Sequence, residues 1–195
     1  MKEGVLTGTK FPMSVEAYIA FEERAEIRHE FINGTLYPMP GTTDDHNEIC
    51  FNIKNALKHL LPELKVYTES VKAQILASTD YTYPDVMVAP DPRDLEDKYI
   101  KKYPSIIFEV ISKSSRLEDQ VDKFLRYKSI EPLQHYILVD SEKVWVEVRS
   151  KNAGGEWEAS TYLKADEDFP VSALGLRLAL KDIYNGVAFQ AGAGK

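Results

Sequence analysis

One glutamate interrupts the apolar run SIIFEVIS, Ser105 to Ser112. On a strand, successive side chains face opposite sides. Glu109 therefore shares a face with Ile107 and Ile111, while Ile106, Phe108 and Val110 take the other. Burying an ionised carboxylate without a partner is strongly unfavourable, so such a segment keeps the acid only where a metal ion or a fixed cation meets it. Whatever fold this chain adopts must bring positive charge to Glu109.

The 195 residues suffice for one domain with a full hydrophobic core, and residues 1–195 are expected to form one. No apolar run approaches the roughly 18 residues of a membrane span. The opening MKEGVLTGTKFPMS lacks a cationic segment followed by an apolar core, and the single Cys50 has no partner for an internal disulfide. A reducing, cytoplasmic setting without membrane association is expected. Cys50 itself reads as a small core residue of a helix. The net charge of −7 argues against non-specific nucleic-acid binding, which draws its affinity from Lys and Arg at phosphates. The distribution says more than the sum: Lys98 to Lys128 carries eight basic residues against four acidic ones, a local +4 around Glu109.

Ser14 is suited to cap a first helix carrying Val15, Tyr18, Ile19 and Phe21. Asn33-Gly34 predicts a tight turn within a hairpin from His29 to Pro38. An amphipathic helix is expected over about Asp45 to Leu61, with Ile49, Ile53, Ala56, Leu57 and Leu60 at helical spacing and Pro62 closing it. KVYTES, VKAQILA and PDVMVAP read as strands, the first two continuous or joined with little turn. The loop from Asp91 to Tyr103 is expected at the surface. After the Glu109 strand, Ser114 or Ser115 would cap a helix from Arg116 to Lys128, buried through Leu117, Val121, Phe124 and Leu125. Strands QHYILVD, KVWVEVRS and WEASTYL follow, then a short helix around Leu180 to Tyr184 and a frayed AGAGK. This order predicts an α/β fold of the α+β, mixed-sheet kind rather than a regularly alternating wound sheet.

A second acid enters a strongly apolar strand: Asp85 in YPDVMVAP, where Pro84 marks the strand's mouth. Neighbouring strands lie about 4.8 Å apart, so if these two pair, Asp85 and Glu109 can share one cation, as in a Mg²⁺ site completed by water and phosphate. Asp119, Lys123 and Tyr127 stand at i, i+4 and i+8 on the following helix and line one face. A crossover helix packs over the sheet, which brings the Lys123 ammonium beside the two carboxylates. There it can position a water and offset charge on a phosphate in the transition state.

Pro84-Asp85, then Glu109-Val110-Ile111, then a helical lysine resembles the PD-(D/E)XK nuclease superfamily. The likeness is closer to its Uma-two branch, in which the lysine of the usual tripeptide has moved to the next helix. Ile111 holds the tripeptide's third place, and Lys123 within DxxxKxxxY matches the migrated lysine. The resemblance extends to MSVEAYIAFEE, the HEFINGTLYPMP hairpin, the helix with His46, and YKSIEPLQHYILVD. It implies a restriction-endonuclease-like core, a mixed sheet flanked by helices, and a homodimer that hydrolyses DNA phosphodiesters with Mg²⁺ or Mn²⁺. The metal ligands would be Asp85, Glu109 and the Val110 carbonyl, with Asp85, Glu109 and Lys123 catalytic. Glu30, as an N-terminal-region acid, and His46, at a helix start, are peripheral candidates with Asp119 and Tyr127.

Other readings compete. Glu109 and Lys123 also suit a buried structural ion pair in a nuclease fold retired to binding or assembly, and the same site could serve RNA or nucleotides. Asp119 and Lys123 fit a surface pair, and Tyr127 a packing residue. His29, His59 and His135 show no ligand spacing, and Gln74 reaches the site only if its strand adjoins it.

Overall fold

Ser14 adopts an extended conformation and its hydroxyl accepts from the Ala17 N–H at 3.2 Å, opening α1 (Val15–Glu22). Strands β1 (His29–Ile32) and β2 (Thr35–Pro38) meet at a two-residue turn in which Asn33 (φ 50°) and Gly34 (φ 76°) both take positive φ, the conformation the Asn-Gly pair predicts. Thr43 caps α2 (Asp44–Leu60) by accepting from the His46 N–H at 3.2 Å. Asp44 and Asp45 in its first turn, with Lys58 and His59 in its last, complement the helix dipole. Short strands follow: β3 (Val66–Thr68), β4 (Lys72–Ile75), β5 (Asp80–Thr82), β6 (Val86–Val88) and β7 (Ile100–Lys101). β8 (Ile106–Ile111) is the strand of Glu109. A π-helical stretch, Glu118–Lys123, runs into α3 (Phe124–Tyr127). β9 (His135–Asp140), β10 (Val146–Lys151), β11 (Trp157–Tyr162), β12 (Asp168–Val171), β13 (Leu176–Ala179) and α4 (Leu180–Ile183) complete the order. The structure, a computed structural model, describes residues 13–76, 79–112 and 118–189, and of 118–120 the backbone alone. Ser114 and Ser115, Arg116, Leu117, the side chain of Asp119 and the segment AGAGK lie outside the described residues.

The main sheet has the order β11-β10-β9-β8-β6-β3, antiparallel except for the parallel β8–β9 pair. β8 is thus an inner strand, with both faces covered. Ile106, Phe108 and Val110 enter a core with Ile49, Ile53 and Leu57 of α2, Phe169, Leu178 and α4. Ile107 and Ile111 enter a second layer with Tyr127, Tyr136 and Leu138, capped by Ala73 and Ile75 of β4. A second sheet, β2-β1-β5-β4-β7, supplies that cap, and β12–β13 form a separate pair. The mixed-sheet α+β architecture expected from the sequence is the one observed. Among the described residues no helix is long and apolar enough to cross a membrane.

Several local expectations need correction. KVYTES and VKAQILA are not one strand: β3 joins the main sheet and β4 the second, with a turn at Glu69-Ser70 between them. β5, β7, β12 and β13 carry too short a pattern to be read from periodicity. The 91–103 loop is not all surface. Asp94 is buried and accepts from the backbone N–H groups of Lys102 and Tyr103, and buried Lys101 donates to the carbonyls of Asp94 and Asp97. Backbone partners satisfy these two charges, which makes their burial tolerable. Leu60, Val121 and Leu125, expected inside, are about half exposed. Val121 and Leu125 each stand two residues from Lys123, about 200° round a helix. A helix that turns Lys123 and Tyr127 to the sheet therefore turns those two outward.

Candidate metal and phosphodiester site

β6 and β8 pair antiparallel with Val86 opposite Phe108, so the same register continued by one residue sets Asp85 across from Glu109. Pro84 and a bend at Asp85 end the ladder there and free the Asp85 side chain to turn along the strand end. Its carboxylate accepts from the Val110 N–H at 2.7 Å, which fixes its orientation. On an extended strand a residue's N–H and C=O face the same edge, so the Val110 carbonyl is directed toward Asp85 as well.

Glu109 is 1% exposed and its two oxygens have separate partners. Oε2 receives Lys123 Nζ at 2.8 Å and Oε1 lies 3.0 Å from the Tyr127 hydroxyl. That hydroxyl is also 3.0 Å from Thr82 Oγ1 on β5. Burial first, and the Glu109 charge second, push the Tyr127 phenol well above its ordinary pKa, so it stays a donor. The predicted stripe of Lys123 and Tyr127 thus meets the predicted acid. Lys123 is directed into the protein, its side chain 17% exposed.

His46, in the first turn of α2, brings Nε2 within 3.3 Å of Asp85 Oδ2. Burial alone would favour the neutral ring, but the hydrogen bond and charge of Asp85, with the charge of Glu69, outweigh it and hold the imidazole above its ordinary value. One turn on, Cys50 Sγ lies 3.7 Å from His46 Nδ1. Burial, then the charges of Asp85, Glu69 and Glu109, raise the thiol far above its usual range. Cys50 belongs to the apolar core as expected, but its sulfur also faces the site. Glu30 is buried on β1, where Oε1 lies 3.4 Å from the Tyr83 N–H and its charge reaches Tyr127. Gln74 lies on β4 in the second sheet, opposite Tyr81.

Sequence reasoning missed three neighbours. Cys50 stands four residues after His46 on one helical face, a spacing that was legible. Thr82 had no signal beyond a polar residue before Tyr83-Pro84. Glu69 comes close only because its N–H bonds the Asp85 carbonyl at 3.2 Å, a pairing of strand ends that no local pattern announces.

This arrangement can place a divalent cation and an ammonium against one phosphate. Comparison with known proteins identifies the family. The family model described as "Putative restriction endonuclease", Uma2, matches residues 15–181. Two proteins of Synechocystis sp. are each 34% identical to this chain. "Uncharacterized protein slr1290" aligns over 92% of this chain and 95% of its own length, and "Uncharacterized protein sll1609" over 78% and 88%. A crystal structure from Anabaena variabilis, described as "a putative nuclease belonging to DUF820", superposes with a TM-score of 0.73 at 18% identity, covering 89% of this chain and 98% of that one. That likeness shows a shared fold, the same mixed-sheet α+β architecture over nearly the whole of that chain. With a family match spanning both acids and the helical lysine, and relatives alike over nearly their whole length, this chain belongs to the Uma2 family.

Proposed function

We propose that this protein is a metal-dependent endonuclease that hydrolyses DNA phosphodiesters in the cytoplasm, acting as a single restriction-endonuclease-like domain and pairing with a second copy to cut a duplex. The observation that carries the reading is the convergence of two acids from adjoining strands with one lysine from the next helix. Asp85, held by the Val110 N–H, and Glu109, held by Lys123 and Tyr127, are the carboxylates that would hold Mg²⁺ or Mn²⁺, with the Val110 carbonyl as a third ligand. The donor set fits a hard cation: carboxylate and carbonyl oxygens, with Asp85, Glu109 and Glu69 outweighing the Lys123 ammonium in charge.

When bound, the cation supplies Lewis-acid stabilisation to the phosphate and acidifies water. Lys123, tethered by Glu109, orients the attacking water and offsets the negative charge that builds as water adds to phosphorus and the bond to the leaving oxygen breaks. Tyr127 fixes the second oxygen of Glu109, so the carboxylate cannot rotate away. Glu30 and His46 flank these groups, and Asp119 is a candidate on the same helix.

Glu109→Gln keeps the size of the side chain and its bond to Tyr127 but removes the charge. It should abolish Mg²⁺- or Mn²⁺-dependent nicking of supercoiled plasmid while the circular dichroism stays native. Nicking at the wild-type rate would overturn the assignment. The direct Lys123–Glu109 contact favours one second reading, a structural ion pair in a binding or assembly protein. Calorimetric titration with Mn²⁺ separates them, since a retired site binds none. A panel of DNA, RNA and nucleotide substrates identifies the phosphodiester.

A further inference from the structure

His46, Cys50 and Asp85 offer an imidazole nitrogen, a sulfur and a carboxylate oxygen that all lie within 4.8 Å of one another. Two donors come from successive turns of α2 and the third from the mouth of β6, so the cluster joins separate elements of the fold. An ion with bonds of about 2.0–2.3 Å brings donors to within about 4.6 Å, so small side-chain rotations complete the shell. The 3.3 Å between His46 Nε2 and Asp85 Oδ2 is long for a charged hydrogen bond but equals the edge of a tetrahedral shell with bonds near about 2.0 Å.

Softness then selects the metal. Sulfur and imidazole nitrogen favour Zn²⁺ and its neighbours over Mg²⁺, which takes oxygen. The side chains of His46 and Asp85 are each 12% exposed, a route by which an ion can enter and an opening for a fourth, exchangeable ligand. Glu69 and Glu109 add negative charge around the cluster.

We propose that His46, Cys50 and Asp85 form a second cation position that binds a borderline divalent transition metal of the Zn²⁺ class, beside the Asp85–Glu109 pair. Asp85 is the shared carboxylate. On binding, Cys50 releases its thiol proton to solvent and ligates as thiolate, while His46 ligates as the neutral imidazole and releases the extra ring proton wherever it carries one. The proposal does not rest on the nuclease reading, with which it shares Asp85 and, at the periphery, His46.

Co²⁺ reports the thiolate directly, and Cys50 is the sole cysteine of the chain, so a sulfur-to-cobalt charge-transfer band has one source. Titration of the EDTA-stripped full chain with Co²⁺ should produce that band with one equivalent. Zn²⁺ should bleach it and excess Mg²⁺ should not. Cys50→Ser, checked for a native melting transition, should lose the band and bind Zn²⁺ at least about tenfold more weakly in calorimetry. Glu109→Gln should keep it. Absence of the band in the wild-type chain, or unchanged Zn²⁺ affinity in Cys50→Ser, overturns the proposal. The two readings fail separately: a band without Mg²⁺-dependent nicking discards the nuclease assignment alone, and nicking without the band discards the transition-metal position alone.

Discussion

Glu109 sits where a carboxylate is hardest to keep, and its two oxygens are met by an ammonium and a phenol. Removing one member of a buried pair costs more than the pair itself contributes, because the survivor is left uncompensated. Lys123→Met should therefore lower stability by about 3 kcal/mol in EDTA, read from urea unfolding, while Glu109→Leu added to it restores most of the loss. Additive losses would show that the two side chains are not coupled. His135 gives a separate pH signature. It is buried at the start of β9, where Nε2 lies 3.2 Å from the Ala173 N–H, and burial depresses its pKa below the ordinary 6.5. Above that value the ring is neutral folded or unfolded; below it the unfolded chain takes up the proton first. Its contribution is thus fully present above about pH 6.5 and lost as pH falls toward the depressed folded value, by at most about 1.4 kcal/mol per pH unit. His46, shifted upward, works in the opposite sense, its contribution present at low pH and lost as pH rises through its raised value. Urea midpoints at about pH 7.5 and 5.5 should fall less steeply with acid in His135→Gln than in the wild-type chain.

Among the elements, α2 and the helical turn after β8 do the positioning. α2 carries His46 and Cys50 on one side and Asn52 on another. The Asn52 amide donates to the carbonyls of Ile183 at 3.0 Å and Asn185 at 2.7 Å, satisfying groups at the end of α4 that the helix itself leaves open. Asn52→Ala should cost about 2 kcal/mol and loosen the C-terminal region first, seen as faster amide exchange at Val187 to Phe189 than in α2. Equal exchange throughout would show that Asn52 does not anchor that end. After β8, the π-helical stretch and α3 illustrate a conflict within a single pattern. Lys123 with Tyr127, and Val121 with Leu125, are both i, i+4 pairs on roughly opposite faces, and only one pair can face the sheet. Apolar content favours Val121 and Leu125; the unmet charge of Glu109 favours Lys123, and the charge prevails. Helices at functional sites often depart from α geometry in this way.

Across the whole molecule, β8 is the strand on which both layers are built. Phe108 fills the layer under α2 while Ile107 and Ile111 fill the one under β4 and Tyr127. Phe108→Ala should cost about 3–5 kcal/mol. If the two layers form one cooperative unit, Trp145 and Trp157 fluorescence and far-ultraviolet circular dichroism should shift together to lower urea. Separated transitions would mean that the sheets unfold independently. Much of this was legible in the residues alone. The Asn-Gly turn, the Ser14 cap, the length of α2, the alternation through β8 and the need for a cation at Glu109 all follow from local stereochemistry and the cost of burying charge, which act within a few residues. Assignment of β3 and β4 to different sheets, the burial of Asp94 and Lys101, and the approach of Glu69, Cys50 and Thr82 to Asp85 and Glu109 were decided by packing between segments distant in the chain. Those contacts depend on where layers meet, and periodicity within one segment carries no information about its partner.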